Sequence, residues 1–133
     1  MFPKNKIMKK IVLFLLFTAT LISCSNDALE EDNSIVGRWH VVGFEDSVLY
    51  EFTNDFRYTI YSSDGTFGNL ETAIPNPHSW YFEGDELVID LNFGNLSTVT
   101  PNFKCNGNVV VLMNESGTTT LFKEGYLFSN CNE

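Results

Sequence analysis

The segment Ser34-Ile35-Val36-Gly37-Arg38-Trp39-His40-Val41-Val42 marks the beginning of the folded part of this chain. After it, runs of aromatic and β-branched residues alternate with clusters of turn residues, which is typical of β-strands. Gly37 lets the entering backbone approach its neighbours closely. Trp39 is a large side chain whose indole N–H needs a hydrogen-bond partner when it is buried. The segment therefore predicts the first strand of an all-β domain, from Val36 to Phe44.

Seven further strands are predicted between this segment and the C-terminus. They cover Leu49–Thr53, Phe56–Tyr61, Ser79–Glu83, Glu86–Leu91, Ser97–Cys105, Asn108–Asn114 and Thr118–Lys123. One strand per roughly 11 residues is the spacing of a sandwich or a closed barrel. Most links are short, which favours an up-and-down order, and closure removes exposed sheet edges. We therefore expect a small eight-stranded up-and-down antiparallel barrel in residues 35–133.

The residues before this domain have the pattern of an exported lipoprotein. An apolar run, Ile11–Ile22, is shorter than the ~20 residues that span a bilayer, but it suits a signal peptide whose basic part contains Lys4, Lys6, Lys9 and Lys10. Leu21-Ile22-Ser23-Cys24 resembles the bacterial lipobox, where cleavage leaves an N-terminal cysteine that carries acyl chains such as palmitate. An ordinary secretory signal with an incidental cysteine is the alternative. We expect residues 1–23 to be the signal peptide, and residues 24–34 to be the lipidated Cys24 and an acidic tether.

Cleavage before Cys24 would leave a strongly acidic protein. It removes 23 of the 133 residues and four of the eight basic side chains but none of the 17 Asp and Glu, so the formal net charge falls from −9 to −13. Such a protein is repelled by nucleic acid and by anionic lipid headgroups. Membrane contact is therefore expected through the lipid alone. We expect an outer-membrane lipoprotein of the cell envelope, on either the periplasmic or the surface face, with no nucleic-acid partner.

Two cysteines remain after Cys24. Export implies an oxidising compartment, so Cys105 and Cys131 are expected to form a disulfide that holds the C-terminal tail to the domain. Two free thiols are the alternative.

At this point a family resemblance is visible. Ile35-Val36-Gly37-Arg38-Trp39 resembles the Gly-x-Trp opening of the lipocalin superfamily. The order of the later segments is similar to that of short bacterial lipocalin-like lipoproteins; these segments are Tyr50–Phe52, Asp64–Phe67, Trp80–Leu87 and Thr120–Lys123. The resemblance covers residues 35–123 and implies a small meander barrel that Trp39 plugs at one end beside Gly37. It also implies that a cationic side chain near the last strand stacks on this tryptophan, and Lys123 is the candidate.

Aromatic residues are expected to dominate the barrel interior. The strand pattern predicts that seven of them face inward, namely Trp39, Tyr50, Phe52, Phe56, Tyr58, Trp80 and Phe82. A barrel of eight strands is wide enough to be filled by side chains or to hold one small ligand. Both outcomes are compatible with the sequence. If a ligand is bound, we expect it to be small and partly apolar and to contact Tyr50, Phe52, Tyr58, Trp80 and Phe82.

The sequence contains no recognisable catalytic or metal-binding arrangement. Its two histidines, His40 and His78, are not spaced as metal ligands. No Ser-His-Asp or Cys-His set is indicated. We expect no enzyme activity, no cofactor and no metal, and an outward-facing, exposed His40. The alternative to ligand binding is an accessory module with a filled barrel, whose loop Asp64–His78 binds a protein or glycan partner.

Overall fold

The computed structural model describes residues 33–133. The predictions for the signal peptide, for Cys24 and for the tether as far as residue 32 lie outside the described residues. Eight strands are present: β1 (Gly37–Val41), β2 (Val48–Phe52), β3 (Phe56–Tyr61), β4 (His78–Glu83), β5 (Glu86–Asp90), β6 (Leu96–Lys104), β7 (Val109–Asn114) and β8 (Gly117–Lys123). One 3₁₀ turn, Leu70–Thr72, lies between β3 and β4, and another, Phe128–Asn130, lies in the C-terminal tail. The described part of the chain is thus all-β, as predicted.

The strands form one closed barrel. Each pairs antiparallel with the next, and β8 pairs antiparallel with β1, where Val41 lies opposite Leu121. The predicted up-and-down barrel is confirmed. The first strand ends at Val41 rather than at Phe44, because the chain turns there and the Phe44 N–H donates to the Val41 carbonyl at 2.9 Å.

The up-and-down order gives the barrel two unlike ends. We call the end at which the chain enters β1 the lower end, and the opposite end the upper end. The lower end carries the tight hairpins 53–55, 84–85 and 105–108, whereas the upper end carries the connections 42–47, 62–77, 91–95 and 115–116.

Trp39 lies at the centre of the barrel core. It is completely buried, and its indole N–H donates to the Ile35 carbonyl at 2.7 Å. Its neighbours are the other inward-facing apolar residues, Ile35, Val41, Phe52, Leu87, Ile89, Val99, Val110, Leu112 and Leu121. Alternation along each strand places these side chains on one face of the sheet. The core therefore fills the barrel around Trp39 from the lower end upward.

A second apolar layer lies outside the barrel. Leu49 and Ile60 are fully buried. They pair with each other, and Leu49 also pairs with His40, so they alternate with the residues that face the core. These side chains therefore point away from the interior. Their burial means that something covers this outer face.

The cover includes the connection 62–77. The Phe67 ring meets the His40 ring edge to face at 5.5 Å between centroids, and the Gly68 carbonyl accepts a hydrogen bond from Arg38 Nη2 at 2.9 Å. His40 does face outward, but it is half-buried rather than exposed, because Phe67 packs on one side and Phe122 stacks at 5.1 Å. The connection is bound to the barrel wall along part of its length.

The C-terminal tail is fixed to the barrel by a disulfide. Cys105 and Cys131 are bonded, with 5.7 Å between their Cα atoms, as predicted. The Phe128 ring stacks on Phe122 at 5.3 Å, and the Cys105 N–H donates to Glu133 Oε2 at 2.8 Å. The tail thus packs against the outer face of β8.

Candidate ligand site at the upper end of the barrel

Four of the five aromatic residues that we predicted as ligand-binding face the interior. Tyr50 lies opposite Trp39, and Phe52 belongs to the core. Trp80 and Phe82 lie opposite the inward-facing residues of β5. The prediction of an inward-facing side chain is wrong for Tyr58.

Tyr58 lies on the outer face of β3. It pairs with Glu51, which in turn pairs with the outward-facing Arg38. The ring of Phe56, two residues earlier, is 6.2 Å from the Tyr58 ring and shares that outer face. The inward residues of β3 are instead the alternate ones, Arg57 and Thr59.

The interior aromatics of the lower half pack on one another. The Phe52 and Trp80 rings meet at 6.1 Å, and the Trp80 and Phe82 rings at 5.9 Å, both edge to face. The Trp80 indole N–H donates to the Thr53 carbonyl at 3.0 Å. Phe52 and Trp80 therefore belong to the packed core, whereas Phe82 is exposed at its edge.

The upper end of the barrel interior is open to solvent. Tyr61 pairs with Val48, and Thr119 pairs with Leu112, so both lie on the inner face of the sheet. Even so, Tyr61 is 61% exposed and Thr119 is exposed as well. We call this opening the mouth and define it by Tyr61 and Thr119.

A largely buried arginine lies in the barrel wall below the mouth. Arg57 pairs with Phe52 on one side and with His78 on the other, which places its side chain on the inner face. The guanidinium carbon lies 4.6 Å from the centroid of the Tyr50 ring. Since Tyr50 pairs with Thr59, two residues above Arg57, the guanidinium is directed toward the upper end.

Arg57 has few polar contacts for a buried cation. Its Nη2 donates to His78 Nδ1 at 2.6 Å, whereas its Nε is inaccessible to solvent and has no hydrogen-bond partner. Among residues 33–133, no carboxylate forms an ion pair with it. Arg38, on the outer face, differs in this respect, because it pairs with Glu51 at 2.8 Å and with Glu124 at 3.0 Å.

The electrostatics follow from this burial. Burial lowers the pKa of the Arg57 guanidinium, while the phenols of Tyr50 and Tyr61 act in the opposite direction. Burial and the neighbouring Arg57 lower the pKa of His78, while Asp90 acts to raise it. A guanidinium has only donors, so Nδ1 of His78 must be the acceptor and its imidazole is neutral, with the proton on Nε2. Arg57 is thus the only charged member of the Arg57–His78 pair.

Sequence reasoning missed Arg57 because its strand can be read with either face inward. The run Phe56-Arg57-Tyr58-Thr59-Ile60 alternates, and placing its apolar members inside leaves the arginine outside. The hairpin register would have resolved this: Phe52 is inward, and it lies directly opposite Arg57.

The Arg57–His78 pair lies where β3 and β4 separate. The strands pair only at Phe56–Ser79 and Arg57–His78. Above that point β3 pairs with the connection 62–77 instead of with β4, since the Ile74 N–H donates to the Thr59 carbonyl at 3.0 Å. The barrel wall beside Arg57 is therefore formed by a loop rather than by a continuous strand.

A surface recess of about 310 Å³ lies next to this part of the wall. It is lined by Asn76, Pro77, Asn92 and Phe93. The Asn92 side-chain amide donates to the Asn76 carbonyl at 3.2 Å, which ties the two upper connections together. Phe93 is 98% exposed and adopts a positive φ of 56°, which is unusual for a bulky residue.

Two further findings concern the part of the chain that the structure describes. Within residues 33–133, no group of three or more His, Cys, Asp or Glu side chains could hold a metal ion. Over the same range, no helix has the length and apolar character needed to cross a membrane.

Comparisons with known proteins give no relative: no family model, no curated protein and no solved structure matches this chain.

Proposed function

We propose that this protein is a lipid-anchored, lipocalin-like barrel of the cell envelope that binds a small, partly apolar molecule through its mouth. The observation that supports binding is the unequal filling of the interior. Trp39 and the core around it close the lower half, whereas the inward-facing Tyr61 and Thr119 stay exposed at the upper end. Concave openings with apolar walls and a few polar groups are the usual form of small-molecule sites.

Support for the lipid anchor comes from the sequence alone. The lipobox-like Leu21-Ile22-Ser23-Cys24 and the acidic stretch after it favour an outer-membrane lipoprotein. The intact mass of the protein extracted from membranes tests this. We expect a chain that begins at Cys24 and carries acyl groups, and a Cys24→Ser variant that lacks them. A mature protein without acyl groups would overturn the anchor and leave the binding proposal in place.

A pair of tryptophan substitutions on β8 tests binding through the mouth. Thr119→Trp would place a large ring on the inner face, whereas Thr118, its neighbour, pairs with Met113 on the outer face. Both positions are exposed, so both variants should fold. The lipoprotein in a neutral detergent is titrated with para-butylbenzyl alcohol by calorimetry, against an identical detergent blank.

We expect Thr119→Trp to abolish the binding heat and Thr118→Trp to leave it unchanged. Equal binding by both variants, or no binding by the native protein, would contradict the proposal. Function by binding alone needs no catalytic group and no cofactor.

A second candidate function is a protein- or glycan-binding accessory module. The observation that favours it is Phe93, whose ring is almost completely exposed beside the amides of Asn76 and Asn92. The connection 62–77, on which the sequence placed this function, is a poorer candidate because Phe67 and Gly68 are bound to the barrel wall. Affinity capture from envelope extracts, compared between the native protein and Phe93→Ser, tests this function. A specific partner that Phe93→Ser still captures equally well would contradict a role for this residue.

A further inference from the structure

We propose that Arg57, together with Tyr50 and His78, binds the acidic group of the ligand, so that the molecule recognised at the mouth is a small apolar carboxylate. This inference rests on the proposed function, because it assigns a ligand class to the same opening. It starts from Arg57, a largely buried cation whose Nε has no hydrogen-bond partner.

The charge of Arg57 is not balanced by any ion pair among residues 33–133. Taking a cation out of water is unfavourable unless a counter-charge and hydrogen bonds replace the lost hydration. Arg57 has the ring of Tyr50 and one hydrogen bond to a neutral imidazole, and no carboxylate among the described residues pairs with it. Stacking on an aromatic face stabilises a guanidinium but supplies no negative charge. The missing counter-charge is therefore one that a ligand brings.

The Arg57 guanidinium is held in place by its neighbours and has an unused donor. A carboxylate binds arginine best through two parallel N–H donors, one on each oxygen. The Nε of Arg57 has no partner, while Nη2 is held by His78 Nδ1. Stacking on Tyr50 and the bond to His78 fix the plane of the guanidinium before a ligand arrives. The guanidinium is thus held in a fixed plane with only part of its donors used, and the remaining donors can bind a carboxylate.

The groups around Arg57 favour a carboxylate over a more highly charged anion. One guanidinium beside a neutral histidine balances one negative charge. A phosphate group carries more than one charge at neutral pH and would leave part of it unbalanced in an apolar wall. The phenol groups of Tyr50 and Tyr61 lie near the guanidinium and can donate hydrogen bonds. A singly charged acid group fits this composition.

Exposed apolar side chains at the upper end can contact the apolar part of the ligand. The upper connections and strand ends expose large apolar side chains, namely Phe44, Tyr61, Leu91, Phe93 and Leu96. Exposed apolar groups at the rim of an opening are suited to contact the apolar part of a bound molecule. An acid whose carboxylate enters first would place its apolar part against this rim.

The test uses two probes that differ only in charge. Para-butylbenzoate and para-butylbenzyl alcohol share the same apolar part, and each is titrated into the lipoprotein in neutral detergent against a detergent blank. We expect the acid to bind at least about tenfold more tightly than the alcohol, as a charge-assisted hydrogen-bonded pair predicts.

Two arginine variants identify the group responsible for this preference. Arg57→Met should bind the acid and the alcohol equally, with affinity for the alcohol retained. Arg38→Met is the matched control, since it removes a cation from the outer face, and it should keep the preference for the acid. Arg57→Lys should keep part of the preference, because lysine retains the charge without the two-point geometry.

The thermal midpoint of Arg57→Met separates ligand recognition from a structural role. Removal of an unbalanced buried cation should leave the midpoint unchanged or raise it. A lowered midpoint, or a preference for the acid that survives in Arg57→Met, would overturn the inference. Equal binding of both probes by the native protein would overturn the carboxylate assignment and leave the proposed function intact. Binding of neither probe would contradict both.

Discussion

Lys123 Nζ lies 5.7 Å from the centroid of the Trp39 ring, across the line where β8 closes onto β1. The two residues are direct neighbours in the β1–β8 register, so the last strand brings a cation to the face of the most deeply buried aromatic ring. The resemblance to lipocalins implied this pairing, and the barrel geometry explains it. The Trp39 indole, which is hydrogen-bonded to Ile35, and the Lys123 side chain together close the lower end.

Truncation of the central indole should destabilise the barrel strongly. Trp39→Ala removes a completely buried side chain and the hydrogen bond to the Ile35 carbonyl. We expect the free energy of unfolding to fall by about 3–5 kcal/mol. Urea denaturation monitored by far-UV circular dichroism measures this change. An unchanged unfolding midpoint would show that Trp39 is not the plug of the barrel.

The cation above the ring should contribute less. Lys123→Met keeps most of the aliphatic stem but removes the charge near Trp39. We expect a loss of about 1 kcal/mol, the usual size of a cation–π contact at a partly exposed site. The same denaturation experiment applies, and a loss as large as that of Trp39→Ala would mean that Lys123 acts through some other interaction.

The disulfide should stabilise the fold through the length of chain that it closes. Cys105 and Cys131 are 26 residues apart. In the chain-entropy description, a loop of this length corresponds to about 3.5 kcal/mol. A double Cys105→Ser/Cys131→Ser variant should lose about this amount of unfolding free energy, and a reducing agent should have the same effect on the native protein. A reducing agent should not change the double variant, which provides the control.

The connection on the outer wall should be sensitive to one added methyl group. A Cβ at position 68 would clash with the side-chain oxygen of Thr72 and lie 2.7 Å from its Cγ2. Gly68→Ala therefore forces either the Thr72 side chain or the Gly68 backbone, whose carbonyl accepts from Arg38, to move. We expect a loss of about 1–3 kcal/mol, typical of overpacking.

The second-site change Thr72→Gly should relieve the clash at position 68. The double variant should therefore recover part of the stability that Gly68→Ala loses. A Gly68→Ala variant as stable as the native protein would indicate that the connection is not held against the wall in solution.

The free energy of unfolding should fall as the pH drops through the range in which His78 becomes protonated in the unfolded chain. Burial and the adjacent Arg57 lower the pKa of His78 below its ordinary value of 6.5. Around and below that pH the unfolded chain binds a proton more readily than the folded protein does, so the folded state loses stability. The thermal unfolding midpoint should decrease as the pH is lowered from about 7.5 to about 5.5, and it should decrease less in His78→Gln.

The lower limit of that range lies above the titration of two carboxylates in the upper connections. Hydrogen bonds from the backbone N–H groups of Gly43 and Thr66 lower the pKa values of Glu45 and Asp64 below 4.5 and 3.8. These carboxylates therefore change charge only at lower pH. A His78→Gln variant with the same pH dependence as the native protein would contradict the assignment to His78.

Local patterns predicted most of the strands. In β5, the apolar residues Leu87, Val88 and Ile89 lie between Glu86 and Asp90, and the strand ends one residue before the predicted Leu91. The Cys105–Cys131 bond followed from the cysteine count and the expected compartment. These features depend on neighbouring residues or on composition, which a single sequence contains.

Features that depend on cross-strand register or on distant contacts were predicted poorly. Tyr58 was placed inside because its own strand alternates and gives no sign of which face is buried; only the pairing with β2 shows this. Leu49 and Ile60 are buried on the outer face because a distant connection covers them. Arg57 was missed for the same reason as Tyr58, so the candidate site itself was located only in part.

The closure of β8 onto β1 also has a consequence for how the protein folds. Trp39 and Lys123 are direct neighbours in the sheet although they are 84 positions apart in the chain. Contacts of such large sequence separation slow folding, because loop closure must precede the stabilising pairing. Until the last strand arrives, β1 keeps an unpaired edge that can recruit another chain. Truncation of a few residues in β8 should therefore favour aggregation, and the last strand is the one on which completion of the barrel depends.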